Sequence, residues 1–284
     1  MAVAPVSRIA DADAVVIKLG GDVLEGAPRA TVAADIQSHC QSKGPAFNSA
    51  TFVVHGGGAQ ATALGNQLGL VARTIDGRRI TDAAMLDVMK MAVAGRVNVD
   101  LVSALRAAGC PAFGLSGSSG VVRAHRRPPR LMPGAGLEPI DFGWVGDIDG
   151  FDLPVLHALV AAGRVPVLAC LGADDCGQVL NINADTVASQ LAAALHARAL
   201  VAVTAVGGVR RDKNDPSTRI PRLTMAEAKA AIADGTVQGG MIPKLEEAFA
   251  PLAAGVAAVH IVAPGEIAQA LAAPGSVGTC LRAD

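Results

Sequence analysis

A chain of 284 residues, 51% hydrophobic and 17% charged, is long and apolar enough for one large α/β domain or two fused lobes, and it excludes general disorder. A formal net charge of −1, an aromatic content of 2% and the absence of Tyr argue against a nucleic-acid or anionic-membrane binder, in charge and in stacking side chains alike. Five cysteines (Cys40, Cys110, Cys170, Cys176, Cys280), scattered and without a C-x-x-C pair, offer neither a metal site nor a disulfide framework.

The first residues lack a basic start followed by an apolar run, so no secretory leader is expected. The most apolar window, Phe249 to Val262, is short for a membrane span and is interrupted by Pro251, Gly255 and His260. The expectation is a cytoplasmic protein without nucleic-acid or membrane partners.

In chain order, the first predicted strand is Val15 to Leu19. It presents Lys18 and runs into Gly20-Gly21, where backbone N–H groups can approach an anion with no Cβ in the way. A second strand, Thr51 to His55, ends in Gly56-Gly57-Gly58, and a helix, Ala59 to Leu68, follows at once. N–H groups at such a helix start form an anion site. Gly56, Gly58 and Ala61 also satisfy the G-x-G-x-x-A spacing of a dinucleotide fingerprint, with Asp76 about twenty residues on. Gly77-Arg78-Arg79-Ile80-Thr81-Asp82 offers Arg79 as a carboxylate clamp or an ordinary surface cation. Thr81 and Asp82 are placed to cap a helix from Thr81 to Ala94. That helix is apolar around most of its circumference, as a core helix is, or one also covered by a second subunit.

Ser116 to Phe142, rich in Gly, Pro and Arg, reads as hairpins or loops, and its Arg123, Arg126, Arg127 and Arg130 read as solvated. Further strands are expected at Val165 to Cys170, Leu200 to Thr204 and Ala258 to Val262. All five are near-continuous apolar runs, the pattern of parallel strands covered on both faces. Asn181, Asn183 and Asp185 lead into a helix, Ala184 to His196, and could serve only as its cap. Gly239-Gly240-Met241-Ile242-Pro243-Lys244 opens another, Ile242 to Ala254, with Pro243 suited to a first turn. A loop spans Arg210 to Pro221, and the turn-rich Ala173 to Gly177 is a lobe boundary.

Together and in this order, IKLGG, VVHGGG, G-x-R-x-T, Gly-x-Val-Asn at Gly95 to Asn98, NINAD, GGMIPK and the terminal Gly278-Thr279 resemble the amino acid kinase family, and within it the branch acting on N-acetylglutamate. The dinucleotide reading explains only one of these segments. The resemblance implies an open, mostly parallel sheet between helices in two lobes. Residues 1–174 would bind the acyl amino acid and dimerise, and residues 175–284 would bind the nucleotide. It implies ATP-dependent phosphorylation of a side-chain carboxylate, with Mg2+ carried mainly by the nucleotide and no protein metal ligands. Lys18 and Lys244 would flank the phosphoryl group in flight, and Asp185 would hold both lysines. Gly20, Gly21, Gly56, Gly57, Thr204, Gly208 and Gly240 would serve the nucleotide and its phosphates. Gly57, Gly58, Arg79, Asn181 and Asn183 would serve the substrate. A homodimer is implied, because the short segment before the first strand lacks the long helix of the hexamer-forming, arginine-sensitive branch.

Three segments depart from the family pattern: Ala205 stands where an acidic residue is usual, Ser118-Ser119 in a loop that usually reads Gly-x-Asp-Gly, and Ala59 for proline. They leave open a sister kinase acting on N-succinylglutamate or a carrier-linked aminoadipate, and a non-catalytic regulatory subunit.

Overall fold

The computed structural model describes residues 13–41, 50–75, 78–131, 138–212, 214–239 and 241–284. Strand β1 (Val15–Leu19) and helix α1 (Gly26–Gln41) are followed by β2 (Thr51–His55), α2 (Gly58–Gln67) and the hairpin strands β3 (Thr74–Ile75) and β4 (Arg78–Arg79). Helix α3 (Ala83–Met89) passes through a π-helical segment, Lys90–Val97, into α4 (Asn98–Ala107). Then come β5 (Ala112–Ser116), β6 (Val122–Arg126), β7 (Gly146–Phe151), α5 (Leu153–Ala161), β8 (Val165–Ala169), β9 (Leu171–Ala173) and β10 (Val179–Asn181). The last third holds α6 (Ala184–Ala194), β11 (Ala199–Val203), β12 (Arg222–Thr224), α7 (Met225–Ala233), α8 (Met241–Ala253), β13 (Val259–Val262), α9 (Ile267–Ala272) and β14 (Thr279–Arg282).

Eight strands form one sheet in the order β12-β14-β13-β11-β1-β2-β8-β5, parallel except where β13 meets β14. The apolar runs explain this arrangement. Every residue of β2, β8 and β13 is buried, so both faces of the sheet need a cover of helices. Two apolar layers result. One contains Val16, Phe52, Val54 and Leu168, and the other Val15, Ile17, Val53 and Val167. The strand order reverses at β1: successive strands step to β2 on one side, and later to β11 on the other. In parallel sheets a ligand crevice opens beyond the carboxyl ends of the strands at such a switch point.

The sequence reading named five of these eight strands and missed β5, β12 and β14, which are short or partly polar. It also missed a second sheet, β10-β9-β6-β7, formed largely from Gly- and Arg-rich sequence. Part of the stretch from Ser116 to Phe142 is thus the strand β6, paired antiparallel with β7, and residues 132–137 lie outside the described residues. Thr81 does not cap α3. Asp82 does, accepting from the Met85 N–H at 2.8 Å. Thr81 is fully buried and exchanges backbone hydrogen bonds with Phe142 and Trp144. The segment before Asp13, on which the expectation of a dimer rather than a hexamer rested, also lies outside the described residues.

One long-range cap ties the termini of the fold together. Asp35 of α1 is buried, and its carboxylate accepts from the N–H groups of Ile267 and Ala268 at 2.6 and 3.1 Å, closing the start of α9. Replacing Asp35 by Ala strands those donors, so we expect a loss of about 1–3 kcal/mol in unfolding free energy. Urea denaturation of the Asp35→Ala variant, read at its midpoint, measures it.

Candidate active site

The carboxyl ends of β1, β2 and β8 and the start of α6 enclose a cleft of ≈ 730 Å³. At its floor the Lys18 ammonium lies 2.5 Å from a carboxylate oxygen of Asp185, with both side chains largely withdrawn from solvent. Lys18 is delivered by the strand, in register with Val54 and Ala202 of its neighbours. Asp185 stands in the first turn of α6, where the helix dipole favours a carboxylate.

Two glycine turns form the adjoining wall. Gly20 and Gly21 follow β1, and Gly56, Gly57 and Gly58 follow β2. Gly57 takes φ +154°, and a Cβ there would press on Val93 and Val97 of the π-helical segment at 3.2 and 3.4 Å, so only glycine fits. Gln60 ties the turns to each other by donating to the Gly21 carbonyl at 2.9 Å. His55 fixes the second turn from below. It is fully buried, its Nδ1–H donates to the Gly56 carbonyl at 2.8 Å, and its Nε2 accepts from the Asn98 amide at 2.9 Å. Asn98 donates also to the Val167 carbonyl at 3.1 Å, so the buried imidazole, the helix and β8 form one network. Burial pulls the His55 pKa down to about 4, against the smaller effect of its bond to Gly56.

Beside the second glycine turn, Arg79 donates to the Gly58 carbonyl at 2.9 Å and to the Thr62 hydroxyl at 2.6 Å. Burial lowers its pKa from the ordinary value, yet a guanidinium remains charged at neutral pH. The Asn181 amide donates to the Thr81 hydroxyl at 3.0 Å, joining β10 to the residue ahead of α3. Asn183 also lines the cleft, and its side chain accepts from the Asp185 N–H at 2.6 Å as the cap of α6.

Behind the Lys18–Asp185 pair lies a cavity of ≈ 250 Å³ with apolar walls including Leu200, Ala202, Val259 and Ile261. Lys18, Asp185 and Glu247 border both hollows, and Lys244 and Thr204 border the rear one. The Thr204 hydroxyl is buried there without a partner among the described residues. Lys244 is half-buried, and desolvation lowers its pKa while Asp22, Glu247 and Asp185 act in the opposite sense. Among the described residues Lys244 forms no ion pair, so Asp185 holds one lysine directly and not both.

Most of the residues read from the sequence therefore converge: Lys18, Gly20, Gly21, Gly56, Gly57, Gly58, Arg79, Asn181, Asn183 and Asp185 share one cleft, and Lys244 and Thr204 share its rear extension. Gly208 lines neither; it is buried at φ +96° against Gly278. Gly240 lies outside the described residues, as does Asp76. Of the arginine cluster, Arg123, Arg126 and Arg130 are exposed, as expected, and Arg127 is not. Arg127 and Arg130 line the cleft and bind Asp147 at 2.7 and 2.9 Å, while Arg126 lies over the Trp144 ring at 5.0 Å. Burial pushes the Asp147 carboxyl up, and the two guanidinium groups more than reverse this, holding it below its ordinary range. Asp22 supplies a carboxylate next to the position where Ala205 lacks one: it accepts from the Ala205 N–H at 2.9 Å.

The amino acid kinase family profile matches residues 13–263. The chain belongs to the amino acid kinase family. It is 54% identical over 274 residues to the acetylglutamate kinase of Anaeromyxobacter dehalogenans, covering 95% of this chain and 99% of that one. It is 52% identical over 270 residues to the acetylglutamate kinase of Sorangium cellulosum, covering 94% and 93%. The fold is shared with the N-acetylglutamate synthase of Neisseria gonorrhoeae (TM-score 0.79, 23% identity, 98% of this chain and 61% of that one). It is shared too with a carbamate kinase of Giardia lamblia (TM-score 0.68, 18% identity, 96% and 99%). No helix among the described residues is long and apolar enough to cross a membrane.

His55, Asn98 and Gln60 support the glycine wall. Of these three, His55 and Asn98 stand within the motifs of the sequence without a role that the motifs reveal, and Gln60 carries no local signal. His55 also creates a pH dependence of stability. Its folded pKa of about 4 lies below the unfolded value near 6.5, so between these pH values the unfolded chain binds more protons. Stability is full above pH 6.5 and falls as pH drops toward 4, by about 3 kcal/mol from this group alone. Burial lowers His260 to about 4 as well, adding in the same direction. Denaturant unfolding across this range measures the slope, which we expect to be shallower in His55→Gln.

Proposed function

We infer that this protein is an ATP-dependent kinase that phosphorylates the side-chain carboxylate of N-acetylglutamate to an acyl phosphate, a step of arginine biosynthesis. The observation that carries the reading is 54% identity, over nearly the full length of both chains, to an acetylglutamate kinase. The site geometry supports the chemistry. Carboxylate and nucleotide are both anions, so their approach requires positive charge and N–H donors fixed in advance.

In this reading Lys18 meets the transferring phosphoryl group from β1, and Lys244 meets it from the first turn of α8. Asp185 is the positioning residue that holds Lys18, and it needs no role as a base because a carboxylate nucleophile has no proton to lose at neutral pH. Gly20, Gly21, Gly56 and Gly57 donate N–H groups to the phosphates. Arg79, Asn181, Asn183, Gly57 and Gly58 receive the acyl amino acid, with Arg79 matched to its α-carboxylate. Residues 1–174 form the lobe for this substrate and residues 175–284 the lobe for ATP. A hollow of ≈ 360 Å³ between Val206, Arg210, Asp212 and Met241 supports the second assignment. Thr204 and Gly240 belong on the phosphate side, and Gly208 shapes the turn between them. Mg2+ arrives on the nucleotide's phosphates. The protein works in the cytoplasm as a homodimer, joined through the face where Met91, Val99 and Phe113 are exposed beside the sheet-edge strand β5.

Hydroxylamine trapping of the acyl phosphate tests the activity. A panel of N-acetylglutamate, N-succinylglutamate and aminoadipate derivatives tests the substrate, and no trapped product with N-acetylglutamate overturns the reading. Lys244→Ala is expected to cut kcat by about 10²-fold or more while leaving N-acetylglutamate binding nearly intact. Steady-state kinetics together with a calorimetric titration separate the two. Arg79→Ala is expected to raise KM for N-acetylglutamate by about 10-fold or more, as loss of a charged hydrogen-bond pair does.

A further inference from the structure

Glu247 lies on α8 one turn beyond Lys244 and borders both the cleft and the cavity behind it. Its carboxyl is hydrogen-bonded to that of Asp185, whose carboxylate already holds Lys18 at 2.5 Å. Two carboxyl groups can hydrogen-bond only if one carries a proton. Glu247 is the carboxyl that burial disfavours as an anion, while Asp185 is in contact with the Lys18 ammonium, so the proton resides on Glu247. Apolar walls below, including Ala248 and Ile261, remove the water that would otherwise favour ionisation. The charged groups facing Glu247 are Asp185 from α6, Lys18 from β1 and Lys244 from its own helix, while Asp22 acts on Lys244 from the turn after β1.

We propose that Glu247 is a proton-linked positioning residue: protonated, it donates to Asp185 and keeps the two-lysine site positive, and its ionisation weakens binding of the anionic substrates. This rests on the assignment of Lys18 and Lys244 to the phosphoryl site. With Glu247 neutral, Lys18, Lys244 and Asp185 sum to one positive charge; with Glu247 ionised, the four sum to zero. The bond between the carboxyls then becomes a repulsion, and Asp185 loses one of its restraints on Lys18. Burial, with Asp185 next in weight, raises the Glu247 carboxyl to about 7, which places the switch near neutral pH. Bound phosphates raise it further, so the complex takes up a proton as it forms.

The unmodified protein is titrated calorimetrically with a non-hydrolysable ATP analogue and magnesium at pH 7.5, in two buffers of different ionisation enthalpy. The same titration on Glu247→Gln subtracts the protons that the nucleotide itself exchanges. We expect wild-type protein to take up about half a proton more than the variant. In steady-state kinetics, KM for ATP rises by up to about 10-fold from pH 7 to pH 8.5 in the wild type with little change in kcat, and this rise is absent in Glu247→Gln. Equal proton counts and superimposable pH profiles overturn the proposal. So does a Glu247→Gln variant whose kcat is lowered equally at every pH with the KM profile retained, since that marks a purely structural residue. Absence of any acyl phosphate from the wild type would instead count against the kinase reading, and the calorimetric comparison would still decide the role of Glu247.

Discussion

The contact between the Lys18 ammonium and the Asp185 carboxylate joins two parts of the chain separated by more than half its length, and it does so at the point where the main sheet reverses its strand order. Removing either partner would leave a charge in a poorly hydrated crevice, which is far costlier than the pair itself. β1 has to be central, so that its carboxyl end opens between β2 and β11. α6 has to begin there, so that its first turn carries a carboxylate into the crevice. Much of the architecture serves these two requirements.

The glycine wall depends on a different kind of support. Backbone N–H groups can organise an anion only if the turns bearing them do not relax, and glycine has no side chain to anchor itself. The molecule anchors the turns from outside. Gln60 links the two turns, His55 and Asn98 hold the second from beneath, and Val93 and Val97 press against Gly57. The π-helical segment Lys90–Val97 presents those two valines and leads directly into Asn98, a functional placement typical of π turns in otherwise regular helices.

Charge in the site is balanced rather than maximised. Lys18 is neutralised by Asp185, while Lys244 is partly desolvated and forms no ion pair among the described residues. Arg127 and Arg130 share the single carboxylate of Asp147, so the segment that follows β6 faces the cleft with a net positive charge. An acidic group missing at Ala205 is replaced in space by Asp22, delivered from the turn after β1.

The sequence by itself determined the buried parallel strands, because residues covered on both faces must be continuously apolar. It also located the glycine turns, because consecutive glycines after an apolar run mark where a strand ends and the chain turns. Lys18, Arg79, Asn181, Asp185 and Lys244 stood out only through the resemblance that their segments carry together and in order; taken one at a time, Arg79 reads as an ordinary surface cation and Asp185 as part of a helix cap. What lacked a local signal was left to the tertiary structure. The second sheet is built from strands too short or too mixed in polarity to stand out, and part of its pairing is long-range, as between Arg123 and Ala173. Arg127 and Arg130 read as solvated until Asp147, some twenty residues away, was brought beside them. Only packing decided that Asp185 grips Lys18, and that Glu247, an ordinary acidic residue on an amphipathic helix in one dimension, faces Asp185 in three. Charges acquire a role from the groups facing them, and that geometry belongs to the fold rather than to the chain.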